Sequence, residues 1–163
     1  SGATRVLRVT SINDPRVVRL AADLSPDLIV VFGTTVIRGD LLTRGRLGLV
    51  NLHGGLSPRY RGTDCTFWAL YNDEPDQIGC TLHFIDRGID TGPLVAHVRP
   101  EVRDGDNEHT LFWRTIRDGT EAFQELLARM EKPMKPLLPV PTAPSSKPTS
   151  HALNGNVLLV ADQ

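Results

Sequence analysis

The sequence predicts an α/β fold: a partly parallel sheet flanked by helices and followed by a Pro-rich C-terminal tail. Three observations lead there. Short apolar runs alternate with stretches of helical periodicity in the first half of the chain, in the order strand, helix, strand, helix, strand that builds a parallel sheet with helices on its faces. The run DLIVVF at 27–32 is continuous in β-branched and apolar residues, as in a strand buried on both sides. Composition then changes sharply after residue 130. Residues 131–150 hold six of the 12 prolines, with Ser145, Ser146 and Ser150, which is the make-up of a linker or extended arm.

Taken in order, RVLRVT at 5–10 carries Val6, Leu7 and Val9 and suggests a first short strand. Asn13 or Asp14 is a suitable cap for a helix starting at Pro15, whose missing N–H costs nothing in that position. Val17, Val18, Leu20, Ala21 and Leu24 give that helix its buried side, and Ser25-Pro26 ends it, because the residue before proline is pushed out of the helical region. After the 27–32 strand and Gly33, a weak helical turn around Leu41-Leu42 leads to a strand at 47–52. A Gly- and Pro-rich loop at 53–63 precedes a short helix at 66–71, and two strands at 78–85 and 94–102 are joined by a turn-rich segment at 86–93. The last helix spans 108–130, with Leu111, Thr115, Ile116, Gly119, Phe123, Leu126, Leu127 and Met130 recurring on one side. Asp106 and Asn107 suit its cap, and Asp104 and Asp106 suit the positive end of its dipole. A closing strand, NVLLVA at 156–161, can dock on a sheet edge here or in a partner. The chain therefore divides into a domain at 1–130 and an arm at 131–163.

Size and composition narrow the function. A chain of 163 residues is one ordinary domain, long enough to bury about 70% of its unfolded surface. Lys and Arg total 18 against 19 Asp and Glu, a net charge of −1, so no basic footprint for nucleic acid or an anionic membrane is expected. The longest uninterrupted apolar run, at 28–32, is far below the roughly 20 residues a bilayer span needs. The start, Ser1 to Arg5, lacks the apolar stretch of a signal peptide. Cys65 and Cys80 form no CxxC pair, and reduced thiols in a cytoplasmic protein are the expectation.

Two segments carry candidate chemistry. In NLHGGLSPRYRG at 51–62, Asn51 and His53 alternate at the end of a strand, so both point to the same side, and the strand opens into a Gly-Gly loop. Ligands of open α/β sheets bind beyond such carboxyl ends. An amide donor beside a titratable imidazole suits a reaction that builds negative charge on a carbonyl oxygen. In GIDTGP at 88–93, Asp90 is a single carboxylate in a glycine-flanked turn between strands. An aspartic protease would need a second such loop, and the chain has only one.

Together, NLHGGLSPRYRG and IGCTLHFIDRGIDTGP (78–93) resemble the catalytic domain of the folate-dependent formyltransferases. That group includes the glycinamide ribonucleotide, methionyl-tRNA and sugar N-formyltransferases. Its motif runs Asn-x-His-x-Ser-Leu-Leu-Pro and Arg-Gly, then, after a strand, Asp-x-Gly-Pro. The resemblance extends from about 27 to 130 and implies a Rossmann-like sheet. It implies that Asn51, His53 and Asp90 are catalytic, with 10-formyltetrahydrofolate as formyl donor and one-carbon metabolism as the setting. An amine attacks the formyl carbon and gives a tetrahedral intermediate. Asn51 donates to its oxyanion, protonated His53 adds charge stabilisation, and Asp90 supports His53 and helps remove the amine proton. A nearby carboxylate is expected to raise the imidazole pKa. The pterin is implied to lie between Thr34, Thr35, Val36 and Ile37 on one side and Ile85, Asp86, Ile89 and Asp90 on the other, with Phe32 and Leu49 as walls.

The departures shape the expected substrate. Gly55-Leu56-Ser57-Pro58 stands where the family has Ser-Leu-Leu-Pro. The family's opening strand, Gly-rich turn and helix are not among these residues, and the tail is short and near neutral. The expected acceptor is therefore a primary amine of a small molecule, an amino-sugar nucleotide or an amino-acid-derived amine, rather than a purine precursor or tRNA. Arg59, Tyr60 and Arg61 are candidates to grip a substrate phosphate or carboxylate, since Arg offers a bidentate fork; the alternative is a solvated loop paired with nearby carboxylates. His83, His97 and His109 lack the convergent spacing of a zinc site. Phe67, Trp68 and Tyr71 read as core or interface, and Cys65 as a small buried residue. Two rival readings remain: a formyltetrahydrofolate hydrolase, with water as acceptor, and a non-catalytic folate- or partner-binding module. A sheet without the family's first strand exposes an edge, to be covered by a homodimer, by the 156–161 strand or by further residues.

Overall fold

The computed structural model describes residues 6–130 and the strand Val157–Val160. Its order is α1 (Pro15–Leu24), β1 (Leu28–Val31), a 3-10 turn (Gly39–Thr43), β2 (Leu49–His53), α2 (Cys65–Tyr71), a second 3-10 turn (Pro75–Gln77), β3 (Cys80–Phe84), β4 (Leu94–Val98), α3 (Glu108–Met130) and β5 (Val157–Val160). The five strands form one sheet, β4-β3-β2-β1-β5. β1 runs parallel to β2 and β5, whereas β3 is antiparallel to β2 and β4. The partly parallel α/β sheet expected from the sequence is present, and the arm at 131–150 lies outside the described residues.

Local chemistry explains α1. The Asp14 carboxylate accepts the Arg16 N–H at 2.8 Å, Pro15 takes the first helical position, and Ser25, at φ 46°, closes the helix with its N–H on the Ala21 carbonyl at 3.0 Å. At α3, Asn107 Oδ1 accepts the Thr110 N–H at 3.1 Å while Thr110 Oγ1 accepts the Asn107 N–H at 2.9 Å, a reciprocal cap. The Asp106 carboxylate is instead taken up by Arg114 and by the Arg103 N–H.

One expected element is absent. Residues 6–10 form no strand, and Val6 is 76% exposed. The reason is that both edges of β1 are occupied, by β2 and by β5, so a strand from 5–10 has no ladder to join there. Only Val9 turns inward, against the α1 side of the core. The edge expected to need covering is thus taken by the described part of the closing strand. No helix among the described residues is long and apolar enough to cross a membrane.

The alternation of β2 separates packing from chemistry. Val50 and Leu52 join Leu28, Val30 and Leu82 beneath Ile116 and Phe123 of α3. The opposite face begins with Leu49, packed with Ile29, Val31 and α1, and continues with Asn51 and His53. Register then sets the neighbours: Asn51 lies opposite His83 of β3, and His53 opposite Thr81. A β-bulge sits beside His83, where pairing jumps from Leu82–Ala96 to His83–Leu94. Such bulges bend a strand and re-aim its side chains.

Candidate active site

A cavity of about 860 Å³ opens beyond the carboxyl ends of β1 and β2, within the range of small-molecule sites. Its floor is Asn51, His53 and His83, and Asp90 reaches in from the β3–β4 loop. Asp90 takes the left-handed conformation, φ 50°, which aspartate tolerates better than most residues. The loop that carries it is tied down locally. Asp86 Oδ1 accepts the Gly88 N–H at 2.8 Å and the Thr91 hydroxyl at 2.7 Å, and a side chain at Gly92 would collide with the Phe84 carbonyl.

The polar atoms converge on Asp90. Its Oδ1 accepts from Asn51 Nδ2 at 3.3 Å and lies 3.2 Å from His83 Nε2; its Oδ2 accepts the Gly62 N–H at 2.9 Å and lies 3.5 Å from His53 Nδ1. The structure therefore brings Asn51, His53 and Asp90 together. It adds His83, which the sequence reading placed in a strand and set aside. The signal was there in its alternation, but the β2–β3 register that puts it opposite Asn51 was not.

Two histidines around one carboxylate behave oppositely. Burial pulls the His53 imidazole below its ordinary 6.5, against the Asp90 charge and the Tyr60 carbonyl, so the ring is neutral at neutral pH. Asp90 does act to raise it, as expected, but burial outweighs the carboxylate, which opposes the protonated ring expected from the family resemblance. Burial also acts on His83, but the Asp90 hydrogen bond, the Phe84 carbonyl and the charges of Asp90 and Asp86 outweigh it and hold this ring above its ordinary value. Burial acts to raise Asp90, and the His83 and Gly62 hydrogen bonds with the His53 and His83 charges more than offset it, so the carboxyl sits below the usual range. Asp90 is a fixed anion, and His83 Nε2 lies within hydrogen-bond distance of it.

Partner chemistry assigns the protons. His53 Nε2 lies 3.1 Å from the Tyr60 carbonyl, the nearer of the two acceptor-only groups the ring faces, so in the neutral ring Nε2 carries the hydrogen and Nδ1, 3.5 Å from Asp90, is bare. His83 Nδ1 likewise donates to the Phe84 carbonyl at 2.8 Å, leaving Nε2–H for Asp90. Cys65 Sγ lies 3.6 Å from His53 Nε2, and burial, with the charges of Asp90 and Asp64, pushes its thiol up to about 11. Cys65 and Cys80 are both free and buried. A Cβ at Gly55 would stand 2.5 Å from the Cys65 sulfur and 2.8 Å from His53 Nε2, so this position admits no side chain without movement.

Most of the residues expected at the donor lie along the cavity walls. Thr34, Thr35, Val36 and Ile37 line one side, with Phe32, and Ile85, Asp86, Ile89 and Asp90 the other. Leu49, expected as a wall, is packed in the core at 1% exposure instead. Phe32, Val36, Ile85 and Ile89 give these walls apolar side chains. Arg59, Tyr60 and Arg61 are not among the lining residues. Arg59 is ion-paired with Glu74 and Tyr60 is buried with its hydroxyl on Glu74 at 2.6 Å, so these two brace the loop rather than grip a substrate. Glu108, His109 and Phe112 of α3 complete the wall.

Fold and site define an α/β domain in which an amide, a buried imidazole and a carboxylate meet beyond the carboxyl ends of β1 and β2. Residues 4–127 match the family model described as formyl transferase, and the chain belongs to that family, in which formyl-tetrahydrofolate is the donor. It is 31% identical over 125 residues to the methionyl-tRNA formyltransferase of Chlorobium chlorochromatii, covering 77% of this chain and 40% of that one. It is 35% identical over 127 residues to the methionyl-tRNA formyltransferase of an Anaeromyxobacter species, again 77% and 40%. The chain thus spans about 40% of the length of these curated relatives. Among solved structures it resembles the formyltransferase PseJ of Anoxybacillus kamchatkensis, crystallised with UDP-4,6-dideoxy-4-formamido-L-AltNAc and tetrahydrofolate (28% identity, TM-score 0.56, 63% of this chain and 53% of that). It also resembles glycinamide ribonucleotide transformylase 1 of Symbiobacterium toebii (28%, 0.58, 66% and 52%).

Proposed function

We propose that this chain transfers the formyl group of 10-formyltetrahydrofolate to a primary amine of a small molecule, an amino-sugar nucleotide or an amino-acid-derived amine. The observation that carries the reading is the convergence of Asn51, His53 and Asp90 on one cavity in a member of the formyl transferase family. In this reading Asn51 Nδ2 keeps one N–H on Asp90 and offers the other to the formyl oxygen as charge develops there. His53 Nδ1, bare and beside Asp90 Oδ2, accepts the proton that leaves the amine as the new C–N bond forms and the donor's C–N bond breaks. The imidazolium is then created next to a fixed anion, so the positive charge arises during the reaction instead of being carried into it. The leaving nitrogen recovers the proton from the same site.

The small-molecule acceptor has support of its own. Among the described residues lining the cavity are Asp64, Asp86, Asp90 and Glu108, and no lysine or arginine. That field favours the amine group itself, so the diphosphate of a nucleotide-linked acceptor would lie outside it. The curated methionyl-tRNA relatives supply the competing acceptor, and the hydrolase reading supplies water. The test is incubation of the full chain with formyl-labelled 10-formyltetrahydrofolate and, separately, an amino-sugar nucleotide, a panel of amino-acid amines, methionyl-tRNA and no acceptor. Label in a small amine is the expected result. Label on tRNA, or free formate at the same rate without any amine, would replace the proposed acceptor.

A further inference from the structure

We infer that Tyr60 is a positioning residue that fixes the tautomer of His53 through its own main-chain carbonyl, and that Glu74 is the latch holding it there. The inference rests on the reading of His53 as proton acceptor given above. The carbonyl accepts from His53 Nε2 at 3.1 Å and so keeps the hydrogen on that nitrogen. Among the described residues, the other group at Nε2 is the Cys65 sulfur at 3.6 Å, a weak acceptor.

The carbonyl is held by a set of contacts on the far side of the residue. The Tyr60 ring is buried with Cys65, Ala69, Ile78 and Leu111. Its hydroxyl donates to Glu74 Oε2 at 2.6 Å and accepts from Asn72 Nδ2 at 3.1 Å, while the Tyr60 N–H donates to the Leu56 carbonyl at 2.9 Å. Arg59 closes on the same carboxylate, Nε to Oε2 at 3.1 Å, and the Glu74 N–H is itself bound to the Ala69 carbonyl of α2 at 2.9 Å. The 54–60 loop is therefore tied to α2 and to the turn after it, and it holds a fixed acceptor behind His53.

Among the other groups facing His53, Asp90 pulls the other way. Asp90 from the β3–β4 loop stands 3.5 Å from Nδ1, His83 of β3 has its ring centroid 6.3 Å away, and Cys65 of α2 lies beside Nε2. With the Tyr60 carbonyl displaced, a neutral His53 gains by moving its hydrogen to Nδ1, where it would bond Asp90 and block proton acceptance from the amine.

Imidazole nitrogen–proton correlation spectra of the full chain test this without substrate. Wild type is expected to show His53 as the Nε2–H tautomer. Tyr60→Phe and Glu74→Gln should each shift the tautomer ratio toward Nδ1–H by about two- to tenfold, the worth of one net hydrogen bond. The kcat should fall with the lost Nε2–H fraction while the donor KM holds, and thermal melts confirm folding; Glu74→Gln keeps the Tyr60 ring and serves if Tyr60→Phe fails to fold. An Nδ1–H tautomer in wild type, or an unchanged Nε2–H tautomer in both folded variants, overturns the inference. Full activity in His53→Gln would instead overturn the catalytic reading, whatever the spectra show.

Discussion

The two faces of β2 use the same five residues for opposite ends. Val50 and Leu52 vanish into the α3 side of the core, where only volume and apolarity matter. His53 is just as deep in the fold and Asn51 is half-buried, yet their side-chain nitrogens have named partners: Asn51 Nδ2 and His53 Nδ1 face Asp90, and His53 Nε2 faces the Tyr60 carbonyl. A strand buried on both sides is a rigid platform, and rigidity is what a fixed donor and a fixed acceptor need in order to work without reorganising. The difference teaches that the face under α3 holds the chain together while the face toward the cavity does the chemistry, and substitutions should separate the two.

The largest expected effect is on the chemical face. His53→Gln keeps side-chain volume and removes the proton acceptor, and single-turnover formyl transfer should slow by about 10²–10⁴-fold, the usual worth of general acid–base catalysis, with little change in melting temperature. On the packing face, Leu82→Ala should lower stability by about 2–5 kcal/mol in a denaturant titration, while donor binding by the folded fraction is retained. Comparable loss of both properties in either variant would erase the distinction between the faces.

Smaller effects sharpen it through pH. The accepting form of His53 is neutral, and its pKa lies below 6.5 in the fold, so kcat should stay level at neutral pH and fall only as pH drops through that lowered value. Asp90→Asn removes the charge that partly offsets burial, so the acid limb should move to still lower pH beneath a reduced plateau. The smallest effect concerns His83, whose pKa is raised. Its contribution to stability is fully present below the unfolded value of 6.5 and is lost as pH rises through the higher folded value. The stability gap between wild type and His83→Gln should therefore be wider at about pH 5.5 than at about pH 8.5.

Much of this was legible in the sequence because it was local. Asp14-Pro15 and Ser25-Pro26 mark α1 by cap and backbone chemistry alone, and the alternation of Asn51 with His53 placed both on one face. Asp90 was found by its glycine-flanked turn and by the family motif. What was missed depended on contacts between distant segments. RVLRVT at 5–10 has a strand's pattern, but β5, contributed from the far end of the chain, occupies the edge it would use. His83 needed the β2–β3 register, and the sign of the His53 shift needed its burial, which the motif does not reveal. Arg59 and Tyr60 suggested a substrate grip by composition, and only the position of Glu74 shows that they face away from the cavity.

The central claim is that the cavity beyond β1 and β2 is a formyl-donor site organised by Asp90. Calorimetric titration of the full chain with 5-formyltetrahydrofolate, a stable analogue of the donor, tests it without knowledge of the acceptor. Saturable one-site binding by wild type, weakened in Asp90→Ala and in Asn51→Ala, is the predicted result. A well-folded wild type that binds none, or binding that both substitutions leave intact, would contradict it.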